Sequence, residues 1–142
     1  KFGTGEMSVG TLQIEAGAKV EFVNPGYETI LHVNGTCIWR GDILPFGEIS
    51  DGATGNDISK RMRSIAEGFK LVQHDSATTF IEGLWAGTIF APQADLVLGQ
   101  ANKEIYGRFL GHGITLHQYA RMTAVKFAPL AVVASTFFKG EK

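Results

Sequence analysis

The residues best able to ligate a transition metal are the four histidines, His32, His74, His112 and His117. A zinc site needs two or three imidazoles that converge with fixed orientation. His112 lies at a predicted corner of the chain and His117 follows a predicted strand, so these two side chains need not converge. We therefore predict solvent-facing or edge histidines and no transition-metal site.

Oxygen ligands for calcium are concentrated in and before the segment DGATGND, where Asp51, Asn56 and Asp57 follow Glu48. Carboxylates and amides are ligand types that calcium takes, but their spacing here matches neither an EF-hand loop nor a glycine-aspartate repeat. The preferred interpretation is a polar loop that ends in a helix cap at Asn56 or Asp57. Calcium stays open as an alternative, and no other cofactor is predicted.

Nucleophilic catalysis has little support in the residue pattern. No serine stands in a G-x-S-x-G setting, and the single cysteine, Cys37, follows a turn without an adjacent base. Neither a G-x-x-x-x-G-K-[ST] loop nor a dinucleotide fingerprint occurs. Paired carboxylates stay open as an alternative, because some β-helices cleave polysaccharides. We predict that the chain is not an enzyme and assign no catalytic or cofactor-binding residues.

A small basic patch, formed by Lys60, Arg61 and Arg63, is a candidate site for an anionic glycan, a lipid or an acidic neighbour. The alternative is a solvated face. The formal net charge of the chain is −1, which does not favour a nucleic-acid partner. The longest apolar run, 130–138, falls short of the roughly twenty residues that a membrane-spanning helix needs, so no transmembrane segment is predicted.

The elements that must position these residues are clearest in a repeat. The phrase GTIFAPQADLVLGQ, from Gly87, is answered by GRFLGHGITLHQ, from Gly107, with two residues fewer. Alternate apolar positions correspond between the copies: Leu96 and Leu98 in the first, Ile114 and Leu116 in the second. A period of two belongs to strands, and a unit of about twenty residues must stack on a neighbour to bury its apolar face. We predict a mainly β fold, a short right-handed β-solenoid whose two copies share one interior.

The rest of the chain fits the same architecture. Alternating apolar residues flank a glycine corner at 16–18, and strands are predicted at 29–33 and 37–39, so the first part holds about two coils. Residues 41–57 lack a sustained period and are predicted to form a loop excursion. An amphipathic helix over about 57–68 follows, and we expect it to pack along the side of the stack.

The apolar segment 124–138 contains Pro129 in an otherwise β-prone run, so it is predicted to be an edge strand or two short ones. Such a strand either caps the stack or pairs with another subunit. Its candidate self-association residues are Leu130, Val132, Val133, Phe137 and Phe138. The whole chain, 1–142, is predicted to be one domain, since a hydrophobic content of 44% is ample for a continuous core.

Several phrases resemble a known family. AGAKVEFVNPG, LHVNGT and GTIFAPQADLVLGQ followed by EIYGRFLGHGITL are similar to the choice-of-anchor A domains of bacterial surface proteins and to ice-binding-like solenoids. The residues that match the family pattern are Gly87, Ile89, Ala91, Pro92, Ala94, Val97 and Leu98, and then Ile105, Gly107 and Leu116. The resemblance implies a secreted or surface-attached β-solenoid of adhesive or matrix character.

IYGRFLGHGITL also resembles bactofilins, cytoskeletal β-helices that polymerise end to end through terminal coils. Their repeats usually run uninterrupted, whereas this chain is interrupted by a loop and a helix. Ice binding, which the first family suggests, would need a row of threonines at equivalent positions of successive coils. The candidate threonines do not form such a row: Thr11, Thr29, Thr88 and Thr115.

These observations predict a non-enzymatic extracellular module, structural or adhesive, that self-assembles into a bacterial surface or matrix fibre. The expected partners are further copies of the chain and a glycan or matrix component. Two alternatives stay open: a carbohydrate-binding or polysaccharide-cleaving β-helix, and an intracellular bactofilin-like polymer. The chain shows no secretion leader, so any such signal is expected outside this sequence.

Overall fold

The computed structural model describes residues 1–23, 27–45 and 55–125, apart from the side chains of 55 and 56. In these ranges the chain is mainly β, with one helix, α1 (Gly55–Gly68). In chain order the strands are β1 (Gly5–Val9), β2 (Leu12–Ile14), β3 (Lys19–Val20), β4 (Thr29–Val33), β5 (Cys37–Trp39), β6 (Asp42–Ile43), β7 (Phe69–Gln73), β8 (Thr79–Ile81), β9 (Trp85–Leu98), β10 (Glu104–Leu116) and β11 (Arg121–Ala124).

The pairs formed by these strands are parallel and follow three faces. The first face stacks β1, β4, β7 and the middle parts of β9 and β10. The second face stacks β2, β5, β8 and the last parts of β9 and β10. The third face holds the pair β3 and β6 and, further along, the start of β10 with β11. The result is the predicted β-solenoid, with about five turns. We name residues 5–23 the first coil and 107–125 the terminal coil.

The repeat predicted from the sequence is confirmed in register. The paired positions include Gly87 with Gly107 and Leu96 with Ile114. The two residues missing from the second copy fall at the corner, where Ala91–Asp95 of β9 is matched by Gly111–Gly113 of β10. The deletion therefore shortens a corner and leaves the strands on both sides in phase.

Glycine is required at position 107 because two backbones approach each other closely there. Its φ is 149°, and a Cβ at this position would lie 1.8 Å from the carbonyl oxygen of Gly87. An L side chain rarely adopts that φ, and no heavy atom fits at that distance. The paired glycines therefore allow the terminal coil to lie on the preceding one.

The interior of the N-terminal part is aromatic. Its contacting rings belong to Phe2, Phe22, Trp39, Phe69 and Trp85. The centroids of Trp39 and Trp85 lie 4.9 Å apart in an edge-to-face arrangement, which aromatic pairs prefer. Both indole groups are fully buried, and each N–H donates to the carbonyl oxygen two residues further on. The N–H groups of the two buried indoles are therefore hydrogen-bonded.

The predicted helix is confirmed, with a different start. α1 begins at Gly55, so Asp57 lies within its first turn and is not the cap residue. Met62, Ile65 and Ala66 are buried in the core, and α1 contacts β7, β9 and β10, which places it along the side of the stack. In the described part of the chain, no helix is long and apolar enough to cross a membrane.

The structure differs from two predicted boundaries or leaves them outside its described residues. The loop excursion predicted for 41–57 is wrong at its beginning, because Asp42–Ile43 forms β6 and pairs with β3. Residues 46–54, the middle of that excursion, lie outside the described residues. The strand predicted for 124–138 also lies mostly outside them, since the description ends at Val125.

Candidate functional site

The terminal coil leaves part of the solenoid interior uncovered. Ile114 and Leu116 lie in register over Leu96 and Leu98, which are fully buried, yet they are 50% and 47% exposed. Leu110 is exposed too, but it pairs with Phe90 on the outer side of the first face. The two copies are stacked in register as predicted, but the inward side chains of the second copy are only half buried. No described strand stacks on this part of β10, so its apolar side chains end the stack.

The backbone edge of the terminal coil is open as well. β10 pairs with β9 along both faces, but β11 pairs only with Glu104–Gly107 at its start. The N–H of Val125 then donates to the carbonyl oxygen of Gly107 at 3.1 Å. Among the described strands, none pairs with the outer edge of residues 108–116. Unpaired edges of this kind can accept a strand from another chain.

The first coil forms the opposite end of the stack. Among the described strands, β1 pairs only with β4, and β2 pairs only with β5. Four apolar side chains of this coil are only partly buried: Met7, Val9, Leu12 and Ile14. On the third face Phe2 pairs with Phe22, and their rings stack with centroids 5.7 Å apart. Among the described residues, the first and second faces of this end are therefore open, while Phe2 covers the third.

The two end coils differ in charge. Between Gly107 and Val125 the sequence carries Arg108 and Arg121 and neither Asp nor Glu. The first coil carries three acids against one base: Glu6, Glu15, Glu21 and Lys19. The pairing registers place one residue of each coil in a single column on the first face: Glu6, Ile30, Lys70, Thr88 and Arg108. Opposite charges thus stand at equivalent positions at the two ends.

A polar column on the first face joins three coils. His32 Nε2 lies 2.5 Å from Glu6 Oε1, and His32 Nδ1 lies 2.7 Å from His74 Nε2. Burial and then the neighbouring His32 lower the pKa of His74. The prediction of solvent-facing or edge histidines did not include this contact between His32 and His74, although His74 is exposed. It stays apt for His112, which is exposed and pairs with Asp95 at 3.1 Å, and for the exposed His117.

Asp42 connects coils on the third face. Both of its carboxylate oxygens accept from Lys103 Nζ at 2.9 Å, and one accepts from Lys19 Nζ at 3.1 Å. The Leu84 N–H also donates to it, at 2.9 Å. Burial alone would raise the pKa of Asp42, but these hydrogen bonds lower it to about 2. The sequence analysis placed Asp42 in a predicted loop, and the two-residue strand β6 that positions it is too short to show a period.

A cleft of about 320 Å³ separates α1 from the third face. Its wall includes Tyr106, whose hydroxyl lies 3.1 Å from Ser59 Oγ and donates to the carboxylate of Glu104. Burial and the Glu104 carboxylate raise the pKa of Tyr106, so its hydroxyl stays protonated at neutral pH. Arg121 lies 3.9 Å from Glu104 and lines the same cleft. These side chains combine hydrogen-bond donors and acceptors beside an apolar wall.

The basic patch lies on α1, where Lys60 and Arg63 are exposed and Arg61 is partly exposed. The tail residues predicted for self-association, Leu130, Val132, Val133, Phe137 and Phe138, lie outside the described residues, as do Glu48 and Asp51 of the calcium alternative and the side chain of Asn56. In the ranges that the structure describes, no three His, Cys, Asp or Glu side chains are grouped as a metal site requires.

Cys37 lies in the core, with no exposed surface. Burial raises the pKa of the Cys37 thiol to about 12, so the thiol stays protonated at neutral pH. The thiolate is the nucleophilic form of cysteine. The geometry therefore gives Cys37 a packing role.

Comparison with protein-family models, with curated proteins and with solved structures found no match to this chain.

Proposed function

We propose that the chain is a non-enzymatic structural module that assembles end to end through its terminal coil. The observation that carries this proposal is the half-exposed pair Ile114 and Leu116, in line with the buried Leu96 and Leu98, beside a strand edge with which no described strand pairs. Half-exposed aliphatic side chains in line with a buried core gain free energy when another layer covers them, at roughly 25 cal/mol for each Å² removed from water. Stacked repeat architectures need such a layer at each end.

The first coil of a second copy is the covering layer that fits best. Two inward columns run along the second face. Leu12 begins the column that ends at Ile114, and Ile14 begins the column that ends at Leu116. A first coil stacked on the terminal coil therefore continues both columns with apolar side chains. It also continues the parallel ladders, since β1 and β2 would pair with β10. Because Phe2 covers Phe22 on the third face, we confine this contact to the first and second faces.

Charge favours this polarity over contact between two like ends. A terminal coil on a first coil brings Arg108 near Glu6 of the next copy, whereas two terminal coils bring Arg108 and Arg121 near their own equivalents. Opposite charges across an interface favour the right partner, and like charges disfavour the wrong one. A contact between different ends leaves one free first coil and one free terminal coil on every open assembly, so it extends into a fibre unless the rotation closes a ring.

Exchange of the two charges tests the proposal. The wild-type chain is expected to grow in mass with concentration in light scattering, while Glu6→Arg and Arg108→Glu proteins each stay smaller. An equimolar mixture of the two variants should recover assembly, because every contact then joins opposite charges. Glu67→Arg, on the exposed side of α1, is the matched control and should assemble as the wild type does.

The outcomes separate the two parts of the proposal. Constant mass across the concentration series would exclude self-assembly. Growth that neither single exchange reduces would retain self-assembly and exclude the proposed polarity. Truncation after Val125 tests the prediction for Leu130, Val132, Val133, Phe137 and Phe138, because loss of assembly in the truncated chain would move the contact to the tail.

The proposed location is outside the cell, on the bacterial surface or in a matrix. This part is supported by the resemblance to choice-of-anchor A domains and by no contact in the fold. The open ends suit a bactofilin-like intracellular filament equally well. Antibody labelling of intact cells of the source organism, compared with permeabilised cells, distinguishes the two locations.

A further inference from the structure

Three turns occupy the corner between the second and third faces in different coils. In each, the last N–H donates to the first carbonyl oxygen, at 3.1–3.2 Å, over Glu15–Ala18, Gln100–Lys103 and His117–Ala120. The third residue of each turn has a positive φ: 86° at Gly17, 64° at Asn102 and 63° at Tyr119. The same backbone shape is therefore built from three different residue types.

Tyr119 is the unfavourable choice among the three. A positive φ is free of steric cost for glycine and tolerated by asparagine, but it brings the Cβ of a tyrosine too close to its own backbone. The side chain is 74% exposed, so burial does not offset that strain. Backbone strain kept at an exposed aromatic residue is a reason to look for a ligand beside it.

A cleft of about 470 Å³ lies beside this ring. It is lined by Tyr119 and Ala120 of one turn, by Ala101 and Asn102 of the turn beneath, and by Arg121. Asn102 and Arg121 also line the cleft against α1, so the two clefts adjoin and lead from Tyr119 to Glu104 and Tyr106. The surface thus combines an exposed ring, an amide, a guanidinium and a carboxylate.

The charges of this surface are balanced. Arg121 lies 3.9 Å from Glu104, and Lys103 Nζ donates to both oxygens of Asp42. Each basic group beside the clefts thus has a carboxylate near it. An anionic ligand would have to compete with those carboxylates, so the electrostatics favour a neutral ligand. A neutral ligand that uses both donors and acceptors is rich in hydroxyl groups.

We infer that the cleft binds a neutral glycan, with one pyranose ring stacked on Tyr119 and its hydroxyl groups hydrogen-bonded by Asn102 and Arg121. The C–H groups on one face of a pyranose carry partial positive charge, which suits the negative face of an aromatic ring. The amide of Asn102 both donates and accepts, and the guanidinium of Arg121 donates in a fork, as adjacent hydroxyl groups require. The second cleft extends the site towards Glu104, which can accept from a further residue of the glycan.

The test combines binding and stability in one variant. Calorimetric titration of the Arg108→Glu chain, used to limit self-association, with cellotetraose, chitotetraose, maltotetraose and xylotetraose should show binding to at least one of them. Tyr119→Gly should weaken that binding at least tenfold and also raise the melting temperature by about 3 °C, because glycine relieves the strained φ. Tyr119→Trp should keep the binding.

A matched control comes from Tyr27, which is 71% exposed. Tyr27→Gly should leave glycan binding unchanged and should not raise the melting temperature. The inference is overturned if none of the four oligosaccharides binds, if Tyr119→Gly binds as well as its parent, or if only anionic glycans such as polygalacturonate bind. A melting temperature that falls in Tyr119→Gly would overturn the argument from strain.

Discussion

The second and third coils, which contain Trp39 and Phe69, and the terminal coil use one alternating pattern but bury it very differently. Around Trp39 and Phe69 the interior is filled by contacting aromatic rings, and both side chains are almost completely buried. In the terminal coil, Ile114 and Leu116 occupy equivalent inward columns and stay about half exposed. The difference shows that burial in this fold depends on whether a coil has neighbours on both sides. The alternation of apolar residues specifies which side of a strand faces inward. Whether that side is buried in the core or left as a contact surface depends on whether another coil stacks on it.

The largest effect is expected from truncation in the aromatic interior. Trp39→Ala removes a fully buried indole between Phe69 and Trp85 and should lower the free energy of unfolding by about 3–5 kcal/mol. Phe109→Ala in the terminal coil, where the ring is only partly buried, should lower it by about 1–2 kcal/mol. Urea unfolding measures both. Equal losses would contradict the difference between the two regions.

The junction between the regions can be broken at Gly107. Gly107→Ala places a Cβ against the carbonyl oxygen of Gly87 and should lower stability by roughly 3 kcal/mol. Gly10→Ala is the matched control, since a Cβ there meets no atom within 4 Å. Hydrogen exchange should show lost protection in β10 and β11, with β4 and β7 still protected. Uniform loss over all strands would mean that the terminal coil does not open separately.

Low pH should weaken the hydrogen bonds that Asp42 accepts from Lys103, which connect the two regions. Its pKa is lowered to about 2 in the folded chain from an ordinary value of 3.8, so it stabilises the fold above pH 3.8. That contribution, about 1–2 kcal/mol, is lost as the pH falls through 2. Asp42→Asn should lose it at pH 7 and show a flatter acid limb in urea unfolding. Asp75→Asn, at an exposed site, should keep the wild-type limb.

The smallest effect is expected from the histidine column. The pKa of His74 is lowered by burial and by His32, so the unfolded chain takes up a proton more readily than the folded chain. Stability should therefore decrease as the pH falls below about 6.5, and the decrease should level off below the folded pKa. His74→Gln should flatten this dependence between pH 7.5 and 5, whereas His117→Gln should leave it unchanged.

The repeat at Gly87 and Gly107 could be predicted because its coils differ by only two residues. Elsewhere the spacing between paired residues varies too much for a repeat to be recognised in the sequence: Gly5 pairs with Thr29, and Thr29 pairs with Phe69. The segment between β6 and β7, which contains α1, lengthens that second step. Alternation and turn residues were therefore enough to predict strands and a solenoid, but the sequence contained no constant period for the remaining coils.

The contacts that depend on those irregular steps escaped prediction. His32 and His74 are 42 residues apart, and Asp42 and Lys103 are 61 apart, so neither pair can be recognised without the register. The exposure of Ile114 was also missed, because alternation does not show which coil is last. The strain at Tyr119 depends on a backbone angle, and only comparison with the turns at Gly17 and Asn102 makes it visible.

Because Cys37 is buried, its reaction with an alkylating reagent reports local opening of the solenoid. Its lone sulfhydryl lies between neighbouring coils and is inaccessible to alkylating reagents until the second face separates. The rate at which iodoacetamide modifies it, divided by the rate for a free thiol, would give the equilibrium constant for that separation without any introduced label. In a growing fibre the same rate would show whether assembly tightens the interior of each module.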